Sequence, residues 1–224
     1  MLRRIGRSSI CALRDDPSVL FFESGMIIDA DGAYRAYHPN GRPGLESLSN
    51  AGRPGNWWAL VTDNGRPNGH PVIQTANDPA PGFYVSMTSL QDPCRARKDP
   101  RRYVDAESVY FIVLPAKLGL GVTLGDLVVA FRPATGAQAC AVYADVGPAH
   151  QIGEGSIALA KALGIPSSPK AGGIGSGIFY FVFKGSARKW PLSQYEINLQ
   201  GNALLSRWGG LAKAEACFPR VRWA

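Results

Sequence analysis

Two acidic residues lie on either side of one loop in segment 140–157, where they could carry out acid–base chemistry. Asp145 ends an apolar run typical of a buried strand, and Glu154 stands between two glycines directly before a helical pattern. A carboxylate there is costly unless it faces a cleft or has a partner. Two carboxyl groups that flank a gap can cleave a glycosidic bond, because one protonates the leaving oxygen and the other activates water or attacks carbon. The structural alternative is that Asp145 fixes a turn and Glu154 caps the helix.

A second acidic pair, Asp29 and Asp31, precedes Tyr34. Strand alternation predicts that the two carboxylates share one face. Such a pair could bind a cationic substrate, and a solvated Asp-Gly turn explains it equally well. A calcium loop would need further oxygen ligands at defined spacing, including a Glu at its twelfth position, which this segment lacks.

The adjacent Trp57 and Trp58 fall in a predicted strand, which turns one ring inward and the other to the opposite face. An inward ring is a core residue, and an exposed ring offers a stacking surface for a sugar or a cation. The histidines lack HxH or HExxH spacing and the cysteines lack C-x-x-C, so we expect no metal and no organic cofactor. The cysteines, for which free thiols or two disulfides are both open, are Cys11, Cys94, Cys140 and Cys217.

Short strands are the elements that must position these residues. The 26 glycines and 17 prolines among 224 residues have no triplet period and indicate many turns. Helical patterns cover 156–164 and, weakened by Gly209-Gly210, 201–215. The pattern predicts a mainly β fold with few helices, a barrel or a sandwich, and no alternating βαβ order. The β-rich runs are 25–29, 57–62, 83–87, 110–114, 127–131, 139–144 and 178–183.

The net charge of +7 is unevenly distributed. Segment 15–94 carries nine acidic and four basic residues, whereas the excess of basic residues lies in 1–14, 95–102 and 188–224. Basic loops attract phosphate, but no nucleic-acid-binding motif is present, so we expect no nucleic-acid partner. No apolar run approaches the roughly 18 residues of a membrane span. The basic start is not followed by an apolar stretch, which predicts that the chain has no signal peptide.

Several motifs occur in an order that resembles glycoside hydrolase family 75, the fungal-type chitosanases and their bacterial relatives. The similarity covers roughly residues 22–185. The motifs are Tyr110-Phe-Ile-Val-Leu-Pro115, Gly125-Asp126, Ala144-Asp145-Val-Gly-Pro, Ile152-Gly-Glu154-Gly-Ser, Ile28-Asp29-Ala-Asp31-Gly32, Tyr37-His-Pro, and segments 52–60, 78–84 and 102–107.

This resemblance implies endo-acting, inverting hydrolysis of chitosan, with Asp145 and Glu154 as the catalytic pair. We assign Glu154 as the acid and Asp145 as the base, because the ordinary pKa of Glu, about 4.3, exceeds that of Asp, about 3.9. Asp126, Asp145 and Glu154 also fall where double-psi barrel glycan-cleaving domains carry acidic residues, which favours a six-stranded double-psi β-barrel by analogy. The predicted substrate-binding residues are Asp29, Asp31, Tyr34, Trp57, Trp58, Asp126 and Tyr143.

We therefore expect one hydrolase domain over residues 1–224, with basic extensions at both ends and a monomeric state. Its partner would be a β-1,4-linked amino-sugar polysaccharide outside the cell or in a cell wall. Without a signal peptide, this implies a signal-independent export route or a truncated chain. One alternative is a peptidoglycan-targeting antibacterial hydrolase or lytic enzyme, which suits the basic charge. Another is a non-catalytic glycan-binding module, which would need neither Asp145 nor Glu154.

Overall fold

The computed structural model describes residues 1–223, and all counts below refer to them. Ten strands and three α-helices are present, with single 3-10 turns at 48–50, 100–102 and 133–135. The strands are β1 (Arg3–Ile5), β2 (Ser8–Ile10), β3 (Val19–Asp29), β4 (Gly52–Arg53), β5 (Asn56–Trp57), β6 (Phe111–Pro115), β7 (Leu127–Arg132), β8 (Ala137–Gly147), β9 (Glu154–Ser156) and β10 (Ile174–Phe183). The helices are α1 (Ile157–Ala162), α2 (Gln194–Trp208) and α3 (Gly210–Cys217).

Six strands close into a barrel in the order β10-β3-β9-β6-β8-β7. The pairs β3–β9 and β6–β8 are parallel and the other four are antiparallel. Residues 111–115 of β6, 127–131 of β7 and 178–183 of β10 are apolar and buried on both faces, so further structure covers this part of the barrel wall from outside. The predicted mainly β fold with few helices and a six-stranded barrel is confirmed, and its mixed strand order fits the double-psi type.

The helix predicted over 156–164 is confirmed as α1. The Ser156 hydroxyl accepts a hydrogen bond from the Leu159 N–H at its start, and Gly164 follows its end with φ +66°. The single helix predicted over 201–215 is wrong in its bounds. A capping box of Ser193 and Glu196 begins α2 earlier, and Gly209, at φ +125°, separates α2 from α3.

The strands predicted over 57–62 and 83–87 are largely wrong. Both segments lie in the connection between β3 and β6 (residues 30–110), where single bridges such as Leu60–Ser86 replace continuous ladders. Val61, Val85 and Tyr103 form a small core of their own in this connection, so its apolar residues are used locally. We call residues 30–110 the long connection, because it forms one wall of the site described below.

The basic segments 1–14 and 188–223 both contain regular secondary structure. Strands β1 and β2 pair as a hairpin whose Ile5 and Ile10 belong to the main core. Helix α2 packs against β7 and β8, and its Gly201 lies so close to Cys140 that a Cβ there would be 2.8 Å from the Cys140 Sγ.

All four cysteines are free thiols. None of the helices among residues 1–223 has both the length and the apolar character needed to cross a membrane.

Candidate active site

A cleft of about 640 Å³ lies between the barrel and the long connection. The barrel strands contribute Asp29, Val113, Asp145 and Glu154 to its lining, and the loop after β8 contributes Gln151. The long connection contributes Asp31, Tyr37, Glu46, Asn50 and Trp58. The structure therefore brings together five carboxyl groups that are up to 125 positions apart in the sequence. We call this the acidic cleft.

Strand register places Asp145 and Glu154 on either side of Val113. Val113 of β6 pairs with Asp145 of β8 on one side and with Glu154 of β9 on the other. Residues opposite one another in neighbouring strands point to the same face, and strands are about 4.8 Å apart. The two acidic residues thus share one face at a separation of two strand spacings, roughly 10 Å between their backbones.

An irregularity in β8 is required for this placement. Ile112 pairs with Tyr143 but Val113 pairs with Asp145, so Ala144 is an extra residue without a partner in β6. Such a bulge shifts by one residue which side chains of the strand point to each face of the sheet. With regular pairing Val113 would face Ala144, and Asp145 would point to the opposite face of the sheet, away from Glu154. The Ala144 carbonyl instead accepts a hydrogen bond from the Leu90 N–H of the long connection.

The Asp145 carboxylate is held by three donors. The Ser89 N–H at 2.9 Å, the Ser89 hydroxyl at 2.5 Å and the Val146 N–H at 2.8 Å all donate to its Oδ1 atom. Burial raises the pKa of Asp145, and these hydrogen bonds act in the opposite direction by stabilising the anion. The residue is therefore more than a turn former, because its main partner comes from a different part of the fold.

Glu154 is the first residue of β9, and Ser156 is the helix cap, so the alternative in which Glu154 caps α1 is wrong. Burial, and then the neighbouring charges of Asp145 and Glu46, raise the pKa of Glu154 to about 7. A carboxyl group with that pKa still carries its proton in part at neutral pH. The Gln151 amide lies 3.4 Å from its Oε2 atom.

The glycines beside Glu154 are needed for close packing. Gly153 has φ +88°, and a Cβ there would lie 2.3 Å from the Ser24 Oγ. A Cβ at Gly155 would lie 3.1 Å from the Phe111 carbonyl oxygen. Glycine is thus favoured on both sides of Glu154, because β9 lies between β3 and β6 and their atoms leave little room for a Cβ at either position.

Asp29 and Asp31 lie in the same cleft, although Asp31 follows the end of β3. The Asp31 N–H donates to the Asp29 carboxylate at 2.7 Å, so a turn aligns the pair where strand alternation was expected to do so. The Tyr37 hydroxyl donates to Asp31 at 2.7 Å. Burial raises the pKa of both groups well above the usual range, with the neighbouring carboxylates adding to the effect.

The acidic cleft has no cation of its own. None of its lining residues within the described chain is Lys, Arg or His, and burial also raises the pKa of Glu46. Carboxylate oxygens of Asp29, Asp31 and Asp145 lie within 4.8 Å of one another. That spacing could also hold a metal ion. Groups this close cannot all be ionised unless protons or a bound cation offset their charge.

Four predicted substrate-binding residues lie outside the acidic cleft. Trp57 is a buried core residue, whereas Trp58 is 54% exposed and lines the cleft. Asp126 is fully buried and accepts hydrogen bonds from the Thr123 and Ala187 N–H groups, so it fixes the turn before β7. Tyr143 is buried in β8, where it pairs with Ile112. Tyr34 lines a different cavity, beside Arg95 and Arg101.

Sequence reasoning missed Tyr37, Glu46, Asn50 and Ser89. Tyr37 belongs to the Tyr-His-Pro motif that carried part of the family resemblance. That motif could have identified Tyr37 as a site residue. The other three are polar residues in turn-rich sequence without a distinctive spacing. Only the folding of the long connection over the barrel places them beside the catalytic candidates.

The raised pKa of Glu154 predicts a pH-dependent stability difference. The folded chain retains the Glu154 proton up to about pH 7, whereas the unfolded chain releases it near pH 4.5. Between these two pH values the folded state binds more protons than the unfolded state, so the free energy of unfolding falls as pH rises. Glutamine stays neutral. We expect the Tm of Glu154→Gln minus that of the wild type to grow by roughly 3–6 °C from pH 5 to pH 8.

The matched control for this measurement is Glu107→Gln, at an exposed position outside the acidic cleft. Its Tm difference from the wild type should stay constant over the same range. A constant difference for Glu154→Gln as well would mean that the Glu154 carboxyl titrates normally in the folded protein.

Comparison of the chain with protein-family models and with curated proteins found no match.

Proposed function

We propose that this protein is an endo-acting glycoside hydrolase that cleaves a β-1,4-linked amino-sugar polysaccharide, with chitosan as the substrate, by inverting acid–base hydrolysis. The observation that carries the proposal is the shared register of Asp145 and Glu154 on either side of Val113. Inverting glycosidases need two carboxyl groups roughly 6.5–9.5 Å apart, and side chains that start two strand spacings apart on one face can reach that range.

The environments of the two carboxyl groups match two different roles. Glu154, with a pKa of about 7, keeps a proton to give to the leaving glycosidic oxygen. Asp145, with three donors on its carboxylate, is the group better suited to be ionised and to take a proton from water. Water attacks the anomeric carbon as the bond to the leaving oxygen breaks. The proton lost by water goes to Asp145, and the Glu154 proton goes to the leaving oxygen.

The charge of the acidic cleft supports a cationic polymer. Five carboxyl groups line it and no basic side chain does within the described residues, so the ammonium groups of glucosamine units would offset charge that otherwise must be neutralised by protons. Peptidoglycan carries carboxylates of its own, which the cleft would repel. The chain's net charge of +7 favours peptidoglycan as the second candidate, but that charge is concentrated in segments that do not line the cleft.

Purified protein should release new reducing ends from chitosan, and the initial rate should fall as the acetylated fraction of the polymer rises. A double variant with Asp145→Asn and Glu154→Gln provides the blank. Release of reducing ends from peptidoglycan but not from chitosan would replace this proposal with the second candidate. Binding of either polymer without any cleavage would instead indicate a glycan-binding module.

Trp58 is the residue we expect to bind a sugar ring by stacking. Its indole N–H donates to the Asn50 carbonyl at 2.8 Å, which fixes the ring plane while more than half of the side chain stays exposed in the cleft. Trp58→Ala should raise KM on chitosan about tenfold and change kcat by less than about twofold, because stacking contributes to binding in ground state and transition state alike.

Trp58→Phe is the control, since it keeps an aromatic face while it loses the N–H donor and one of the two fused rings. It should retain a KM within about threefold of the wild type. A large fall in kcat with an unchanged KM for Trp58→Ala would show that the indole does not act as a binding surface.

A further inference from the structure

The atoms that hold Asp145 come mainly from one residue of the long connection, Ser89. Its N–H and its hydroxyl both donate to the Asp145 Oδ1, across 56 positions of sequence. The segment around Ser89 is itself fixed. The Leu90 N–H donates to the Ala144 carbonyl at 2.8 Å, and the Thr88 hydroxyl donates to the Leu90 carbonyl at 2.7 Å. Ser89 is therefore docked against the bulge that aims Asp145 into the cleft.

These hydrogen bonds make the two oxygens of Asp145 unequal. Oδ1 accepts three hydrogen bonds, counting the one from the Val146 N–H, whereas residues 1–223 donate none to Oδ2. A carboxylate oxygen that already accepts three hydrogen bonds is a poor proton acceptor, because its lone pairs are engaged. The other oxygen keeps its basicity, because no hydrogen bond from the described residues engages its lone pairs.

We infer that Ser89 is a positioning residue for catalysis, which orients the Asp145 carboxylate so that Oδ2 is the atom that accepts the proton from water. This inference rests on the proposed function, since it assigns an atom to the base of that reaction. It adds a role for the long connection, which contributes to the chemistry through Ser89 as well as forming a wall of the cleft. Among residues 1–223, Glu154 has only the long contact with Gln151, so the effect is specific to the base.

The test compares Ser89→Ala, Ser89→Thr and a matched control, Ser108→Ala. Ser108 is exposed and donates in the same way to an aspartate, with its hydroxyl 2.7 Å from the Asp105 Oδ2, but it lies outside the acidic cleft. The measurements are kcat and KM on chitosan across the pH range, and Tm. Ser89→Ala should lower kcat about tenfold, leave KM within about twofold, and move the acidic limb of the rate profile upward by about one pH unit.

Ser89→Thr keeps the hydroxyl and should restore the wild-type pH profile, and Ser108→Ala should leave all three quantities unchanged. A lower Tm for Ser89→Ala with an unmoved acidic limb would overturn the inference, because it would give Ser89 a purely structural role. An NMR titration of the Asp145 carboxyl carbon gives a second readout. Its pKa should be higher in Ser89→Ala than in the wild type, and an equal pKa would overturn the inference too.

The titration also separates the two proposals. If wild-type protein does not cleave chitosan, the proposed function fails. The hydrogen bonding of Ser89 to Asp145 would still be measured by the titration, independently of any turnover.

Discussion

Glu154→Gln is expected to lower kcat on chitosan by about 10³-fold or more, since glutamine occupies the same volume but cannot protonate the leaving oxygen. The fold should be unaffected, because the Glu154 side chain makes no hydrogen bond in the described structure except the long contact with Gln151. The alkaline limb of the pH profile, which the wild type should show near pH 7, should disappear in this variant together with the titrating group.

A substrate with a good leaving group distinguishes loss of the acid from general damage. Such a leaving group departs without protonation, so an activated glycoside of the same sugar should recover most of the rate with Glu154→Gln. If this variant cleaved unmodified chitosan at a rate near that of the wild type, Glu154 would not be the general acid.

Asp145→Asn is expected to lower kcat by about 10³-fold as well, and the activated substrate should not rescue it. The amide oxygen of asparagine can still accept the three hydrogen bonds that reach Oδ1, so the side chain stays in place but has no basic oxygen. The Tm at pH 7 should not fall, because the variant removes a carboxyl group from a crowded acidic cleft.

Asp126→Asn is the matched control for Asp145→Asn. Asp126 is also a buried carboxylate that accepts N–H donors beside the same barrel sheet, but it lies outside the acidic cleft. This variant should change Tm, but its kcat should stay within about threefold of the wild-type value. Equal losses of kcat in both variants would mean that buried aspartates support the barrel in general and that Asp145 has no special role.

The sequence is informative where structure is local. The apolar runs at 110–114, 127–131, 139–144 and 178–183 became barrel strands with small changes of their ends, because contiguous β-branched and aromatic residues favour strands wherever they pack. Helix α1 was predictable from Ser156 and Gly164, since both ends of a helix have their own residue preferences. The short loop between Asp145 and Glu154 made it predictable that these two residues would lie close together.

The geometry of the site was not predictable, because it depends on contacts between distant segments. A bulge adds one residue without changing composition, so nothing in 139–147 indicates that Ala144 is skipped. The long connection supplies Ser89 and Glu46 through isolated bridges and turns, which leave no periodic pattern. The opposite error occurred at Asp126 and Tyr143, which were predicted to bind substrate and are buried parts of the barrel framework.

The anomeric configuration of the first product tests the central claim most directly. Short chitosan oligosaccharides can be incubated with the wild-type protein while proton NMR follows the new reducing ends within the first minutes, before they equilibrate. Because Asp145 is proposed to activate water on the face opposite the leaving oxygen, cleavage of the β-linkage should first yield the α-anomer. Initial appearance of the β-anomer, or the absence of any new reducing ends, would contradict the assignment of Asp145 and Glu154 as an inverting pair.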